Sequence, residues 1–493
     1  MMASGIVTSL LLIRVATRNL DAQELGLWSF CFSSVGYFLL LDFGVSNSLG
    51  RLFADAISKG DQKETCGWLY LSAAVLSAQA LVVVSLGLLL RDPLIGWFGI
   101  PANLVSDARS LWTWLIVLQA LSMPGKALPG VICAQNRTYL VHIFNILSSW
   151  TNLGLFWFWI LHGKGVMAYA YASVAAIAVM QIGYFLIVFT GRDRLIIHFV
   201  RVPFEHLREL FGYSSAIFVS GLATQAMAAT QGMIVTKLLG LDALAVLNIT
   251  SRLPLMASQL VQRPFSAACP RWVLQFCGNA RKKFREEYEI VVRLTMLGLG
   301  AAVVGSILVN GAFVQWWTRP KYYGGDLLTI LIASTYIPAT VNFLMSFSFH
   351  LTKRMGAYTI AMLGSTAAEL ALSIALVKTF GLAGIPLATL VTALGFSIWF
   401  HLVVGGRMVE ISAFRLFAKD LLWIMLSFVL ALALLVVFVQ SSAHVGFQRL
   451  VFCGMLSGLC CLPIIWRLVV IGRKIPWKKT AGKSRCLGGE TSE

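Results

Sequence analysis

The chain has 493 residues, of which 58% are hydrophobic and 12% charged, and its mean hydropathy is +0.79. Soluble domains carry about 25% charged residues, so a water-facing globular surface is excluded. A net charge of +18 would suggest nucleic acid in a soluble protein; in so apolar a chain, basic residues instead bias loops toward the cytoplasmic side of a membrane.

Apolar spans fall approximately at 2–17, 25–47, 66–90, 108–133, 139–161, 165–190, 211–239, 243–268, 289–316, 325–349, 357–379, 382–405, 420–440 and 446–471. Twenty or so helical residues at ~1.5 Å each match a hydrocarbon layer of ~30 Å. The ~10-residue alternation of a membrane barrel is absent. The expected fold is therefore all-α and integral to the membrane, with about fourteen transmembrane helices. No positively charged leader or small-residue cleavage site precedes the first span, so no removable signal peptide is expected.

Loop charge gives the orientation. With both termini cytoplasmic, most of the 39 Lys and Arg fall inside, including Arg281, Lys282, Lys283 and Arg285. A repeat also runs through the chain at a spacing of about 220 residues. Leu20-Asp21-Ala22 returns as Leu241-Asp242-Ala243, and Arg51 as Arg271. Trp97, Pro101 and Asp107 return as Trp316, Pro320 and Asp326, and Gly165-Val166 as Gly384-Ile385. The expected organisation is a six-helix bundle at 1–191, a basic linker at 192–210, a repeated six-helix bundle at 211–405, two further helices at 406–471, and a basic tail at 472–493. An even number of helices per repeat gives both bundles the same topology. Two readings fit the linker, an amphipathic helix on the cytoplasmic face or a solvated connection. The tail carries Lys474, Lys478, Lys479, Lys483 and Arg485, and is expected to be disordered and drawn to anionic headgroups.

Ionisable groups at membrane depth are costly and usually face a cavity or a partner. Arg252 lies about ten residues into the eighth span, near the midplane. Asn248, Arg252, Gln259 and Arg263 fall within about 60° of one another on a helix, forming one polar stripe. Arg14 and Arg18 are an i,i+4 pair in the first span. Lys237 stands near the outer end of the seventh span, whose Ser220, Thr224 and Gln231 share a face. These residues are the candidate cavity wall, with buried pairing or snorkelling to headgroups as the alternatives. Asp42 and Glu369 are the acidic groups at depth, either coupling sites or members of buried ion pairs. The nine Cys and seven His show no metal-ligand spacing, and no phosphate-binding GxxxxGK[ST] loop occurs. Neither a metal nor a cofactor is expected.

The run Arg18-Asn-Leu-Asp-Ala-Gln-Glu-Leu-Gly-Leu-Trp28, followed by Leu41-Asp42-Phe43-Gly44-Val45 and Leu49-Gly50-Arg51, resembles the N-terminal signature of polysaccharide (O-antigen, Wzx-type) flippases. Leu239-Gly240 and the short outer loop Trp316 to Asp326 resemble that family's second-half landmarks. Such flippases belong to the multidrug/oligosaccharidyl-lipid/polysaccharide exporter superfamily. The resemblance implies transfer of an undecaprenyl-pyrophosphate-linked oligosaccharide from the inner to the outer leaflet of a bacterial inner membrane. It implies a monomer whose partners are the lipid-linked substrate, membrane lipids and other polysaccharide assembly proteins, with no nucleic acid.

A drug/cation antiporter of the same superfamily needs acidic groups to attract its substrate, whereas the first span here offers arginines. A lipid II flippase is chemically closer. A glycan polymerase or transferase needs a catalytic cluster or a sizeable outer loop, and the longest predicted outer loop is about 17 residues with no base–nucleophile pair. Transport rather than catalysis is expected.

Overall fold

The computed structural model of the chain describes residues 2–38, 45–190, 227, 229–277, 280–352, 355–434 and 447–472. Asp42, Ser220, Thr224, the linker at 192–210 and the basic tail lie outside the described residues. The first helices are α1 (Met2–Asn19), α2 (Ala22–Gly36), α3 (Val45–Ser58), α4 (Gln62–Phe98), α5 (Val105–Ser122), α6 (Leu128–Ala134), α7 (Thr138–Leu161) and α8 (Met167–Thr190). They are followed by α9 (229–239), α10 (Leu241–Thr250), α11 (Arg252–Cys277), α12 (Arg281–Trp317), α13 (Asp326–Thr352), α14 (Met355–Phe380) and α15 (Gly384–Thr392). The last three are α16 (Ala413–Leu434), α17 (Phe447–Cys460) and α18 (Leu462–Gly472). The described residues contain no strand.

This is an all-α integral membrane fold. Among the described residues, six helices are long and apolar enough to cross a bilayer, or eight if each of two bent pairs counts as one span. One pair is bent by 41° between Ala102–Ser122 and Pro124–Ala134. Pro124 explains that bend, because it lacks the N–H that would continue the helix ladder.

The sequence repeat has a counterpart in helix length. Both α4 and α12 run for 37 residues, and they begin at Gln62 and Arg281, the spacing that separates Trp97 from Trp316. At ~1.5 Å per residue such a helix is about 55 Å long, well beyond a ~30 Å hydrocarbon layer. Its polar first turn, Gln62-Lys63-Glu64 or Arg281-Lys282-Lys283, therefore stands clear of the apolar region. Asp61 fixes the start of α4 by accepting from the Lys63 and Glu64 amides at 2.9 and 3.0 Å. After each long helix comes a 3₁₀ turn, at Ala102–Leu104 and at Pro320–Tyr322.

Two compact units organise the chain. The first comprises Met1–Arg252, Val314–Leu331 and Arg354–Ser397; the second comprises Leu253–Phe313, Ile332–Lys353 and Ile398–Glu493.

Within the first unit, buried polar atoms satisfy one another across helices, as a medium without water demands. Trp112 donates from Nε1 to the Gly87 carbonyl at 2.8 Å, joining α5 to α4. Ser148 donates to the Ala176 carbonyl at 2.8 Å and Asn152 to Ser173 Oγ at 3.1 Å, joining α7 to α8. The crossing of α2 on α10 is close. A Cβ at Gly26 would lie 2.1 Å from the Leu241 carbonyl oxygen, so only glycine lets these backbones approach so closely.

The second unit has an aromatic core of Phe265, Trp272, Phe284 and Tyr288, all essentially inaccessible. Tyr288 satisfies its hydroxyl on the Leu344 carbonyl at 2.9 Å. An ion-pair clasp stands nearby in the chain. Asp420 on α16 accepts from Arg293 of α12 at 2.5 and 2.8 Å and from Arg467 of α18 at 2.9 Å. Its side chain is 3% exposed. Apolar packing of Leu297, Ile424, Ile464 and Ile471 joins the same three helices.

Candidate functional site

In the first unit, α1 gathers the cations. Pro254 is the local cause. It has no N–H to give the Thr250 carbonyl, so a single turn residue, Ser251, separates α10 from α11 within the continuous run Leu241–Phe276, and Arg252 follows it. From there the half-buried Arg252 donates from its guanidinium to Ser9 Oγ on α1. One turn further along α1, the half-buried Arg14 lays its guanidinium over the Trp316 ring, 5.0 Å from the centroid.

The segment after Trp316 follows the same flank of α1. Trp317 Nε1 donates to the Leu10 carbonyl at 3.1 Å, Arg319 to the Arg18 carbonyl at 2.7 Å, and the Tyr322 hydroxyl to the Leu20 carbonyl at 3.3 Å. Three guanidiniums thus lie along one helix, Arg252 on a hydroxyl, Arg14 on a ring face and Arg319 on a backbone carbonyl. A guanidinium carries five N–H donors in a planar fork that matches the oxygens of phosphate.

The other expected wall residues are distributed differently. Arg18 is exposed. Lys237, also exposed, donates to the Trp97 carbonyl and lies 5.5 Å from the Trp97 ring. Asn248 is exposed on α10, before the turn at Ser251. Gln259 is exposed on α11 and belongs to the second unit. Despite the turn at Ser251, α10 and α11 together form one apolar run of 36 residues, Leu241–Phe276, which carries Asn248, Arg252, Gln259 and Arg263.

Gln231 is drawn into a second polar group of the first unit. Its Nε2 donates to Glu369 Oε1 at 3.0 Å, and Thr389 Oγ1 donates to the same oxygen at 2.5 Å. Glu369 is 7% exposed, and among the described residues no Lys or Arg pairs with it. Of the two readings of this carboxyl, the observed surroundings are a cage of neutral donors. The sequence alone does not single out Ser9 or Thr389. Trp316 is visible there as half of a repeat, but without its cationic partner.

A family model for polysaccharide biosynthesis proteins matches residues 1–273, more than half of the chain. The chain belongs to that family. Solved structures share the fold. A multidrug resistance MATE family transporter of the MOP superfamily, in an inward-facing conformation, superposes with a TM-score of 0.71 at 14% identity, over 82% of this chain and 96% of that one. The lipid II flippase MurJ, in an inward closed conformation, gives 0.65 at 16% identity, over 94% and 97%. A MOP superfamily transporter from Pyrococcus furiosus gives 0.56 at 14%, over 82% and 96%. These neighbours are transporters and a flippase, not enzymes. No curated protein matches the chain.

Proposed function

We propose that this family member is a flippase that carries an undecaprenyl-pyrophosphate-linked oligosaccharide, an O-antigen or exopolysaccharide repeat unit, from the inner to the outer leaflet of a bacterial inner membrane. The placement of Arg14 and Arg252 along α1 carries this reading. A pyrophosphate cannot cross ~30 Å of hydrocarbon bare, because unpaired charge in such a medium is prohibitively costly. Charge-assisted hydrogen bonds from guanidiniums offset that cost. Arg18 and Lys237 extend the cationic wall. Asn248, Gln259, Ser220 and Thr224 serve the hydroxyls of the glycan while the lipid tail stays in the bilayer. Fourteen spans, in two repeated bundles at 1–191 and 211–405 with two more helices at 406–471, rock to alternate access. Both termini lie in the cytoplasm.

In the same reading Glu369, with Asp42, takes the coupling proton or cation, since neutral donors leave its charge uncompensated. A lipid II-type flippase uses the same phosphate chemistry and is the nearest alternative. A drug/cation antiporter is disfavoured by the sign of the charge on α1.

The decisive experiment replaces the gene with one encoding Arg252→Glu. The variant should insert normally yet leave the lipid-linked glycan on the inner leaflet. Normal surface polysaccharide from that strain would reject the proposal.

A further inference from the structure

The first unit also contains a cavity that the cations do not occupy. It lies among α2, α5, α8 and α9, has a volume of ≈ 330 Å³, and is walled by Phe32, Ser33, Gln119, Ser122, Tyr169 and Ser173 together with aliphatic side chains. That is the lower end of the ~300–1,000 Å³ typical of small-molecule sites. Among the described residues, no carboxylate, amine, guanidinium or imidazole lines it.

Polar capacity is left over around this cavity. The Gln119 Nε2 amide is buried and has no hydrogen-bond partner among the described residues. Behind it, Gln181 donates to the Ser122 carbonyl at 3.0 Å, while its buried Oε1 has no donor among the described residues. Gly125 is what admits Gln181 there, since a Cβ would sit 1.8 Å from that oxygen. The Trp28 ring lies 5.0 Å from the Tyr169 ring, and its buried Nε1–H likewise has no acceptor among the described residues. Of these three groups Gln119 lines the cavity, and an amide left unsatisfied in an apolar setting costs about 1–3 kcal/mol, so an occupant that pairs with the Gln119 side chain is favoured.

The chemistry of the wall selects among occupants. An anion would meet no cation among the described lining residues, and an acyl chain would leave the Gln119 amide unpaired. A sugar ring suits both features, because its hydroxyls donate and accept while its C–H face lies on aromatic rings. We propose that this cavity holds a neutral sugar ring of the lipid-linked glycan during transport. The proposal rests on the flippase reading and adds a glycan subsite separate in composition from the phosphate-binding arginines.

The test uses the full-length protein in nanodiscs with two probes. One is the lipid-linked glycan extracted from cells lacking the protein; the other is undecaprenyl pyrophosphate without sugar. Gln119→Leu should weaken binding of the glycolipid on the order of tenfold, the equivalent of one lost hydrogen bond, and leave the sugar-free lipid unchanged. Equal losses for both probes, or no loss for either, overturn the subsite. Wild-type protein that binds neither probe overturns the flippase reading itself. Should Gln119→Leu not elute as a folded species, Ser33→Ala on the opposite wall is judged by the same ratio.

Discussion

Arg14 places its guanidinium 5.0 Å from the centre of the Trp316 ring. Its counterpart is Lys237, 5.5 Å from the Trp97 ring. The two tryptophans stand at the ends of α12 and α4, at equivalent places in the repeat, and each receives a cation carried by the other half of the sequence. Cation–π contacts are worth roughly 0.5–2 kcal/mol, more when desolvated. A double-mutant cycle of Arg14→Ala and Trp316→Ala, followed by thermal unfolding in detergent, should show a coupling of that size. Strictly additive effects would reject the contact. Trp97→Ala should couple less to Lys237, because the backbone carbonyl that also accepts from Lys237 survives the substitution.

The α2–α10 crossing depends on the absence of a side chain at one position. Gly26→Val should destabilise the fold severely, since its first carbon would lie 2.1 Å from backbone that cannot rotate away. Gly154→Ala on α7 is the control. A Cβ there meets nothing within 4 Å, and losing a helical glycine is expected to be neutral or stabilising by up to ~1 kcal/mol. Melting temperatures of the two variants should move in opposite directions, or Gly154→Ala should not move at all.

Glu369→Gln preserves shape and removes only the charge. The protein should fold, and ion-dependent accumulation of substrate on the outer leaflet should cease if Glu369 carries the coupling ion. Glu369→Ala should do more, leaving the Gln231 amide without its acceptor at a cost of about 1–3 kcal/mol, while Thr389 still has the Ile385 carbonyl at 3.2 Å. Full proton- or sodium-driven transport by Glu369→Gln in proteoliposomes would remove this carboxyl from the mechanism.

Asp420 serves two guanidiniums at once. Asp420→Asn should therefore cost several kcal/mol, on the order of the 3–5 kcal/mol typical of a broken buried pair. Arg467→Met should cost less, because Arg293 still holds the carboxylate in two contacts. Replacing all three residues by apolar ones of similar size should recover most of the loss. If Arg467→Met proves the more damaging single change, the clasp is not what stabilises these helices.

Much of the fold is legible in the residues themselves. Apolar runs such as 139–161 and 165–190 become α7 and α8 almost without adjustment, because in lipid a helix must satisfy its own backbone. The repeat anticipates two helices of identical length. Neighbours in space are another matter. Helical spacing would put Gln231 on one face with Ser220 and Thr224, which lie outside the described residues, but spacing does not reveal that its amide is bonded to Glu369, 138 residues away. Periodicity tells which residues share a face but not what that face meets. Pro254 is a local signal of its own, since proline leaves a carbonyl of the preceding turn without its amide partner, and it accounts for the single turn residue beside Arg252. Gln119, Ser173 and their cavity carry no charge, so a search for costly groups at membrane depth passes over them.

The Asp420 clasp bears on how short this fold can become. Deleting everything after Met408 would remove Asp420 and Arg467 together and take from Arg293 the carboxylate that it holds in two contacts. Any natural relative that ends there is expected to hold an uncharged side chain at that position. The last helices are thus not an extension that the rest of the protein can discard, but a counter-charge written into an earlier one.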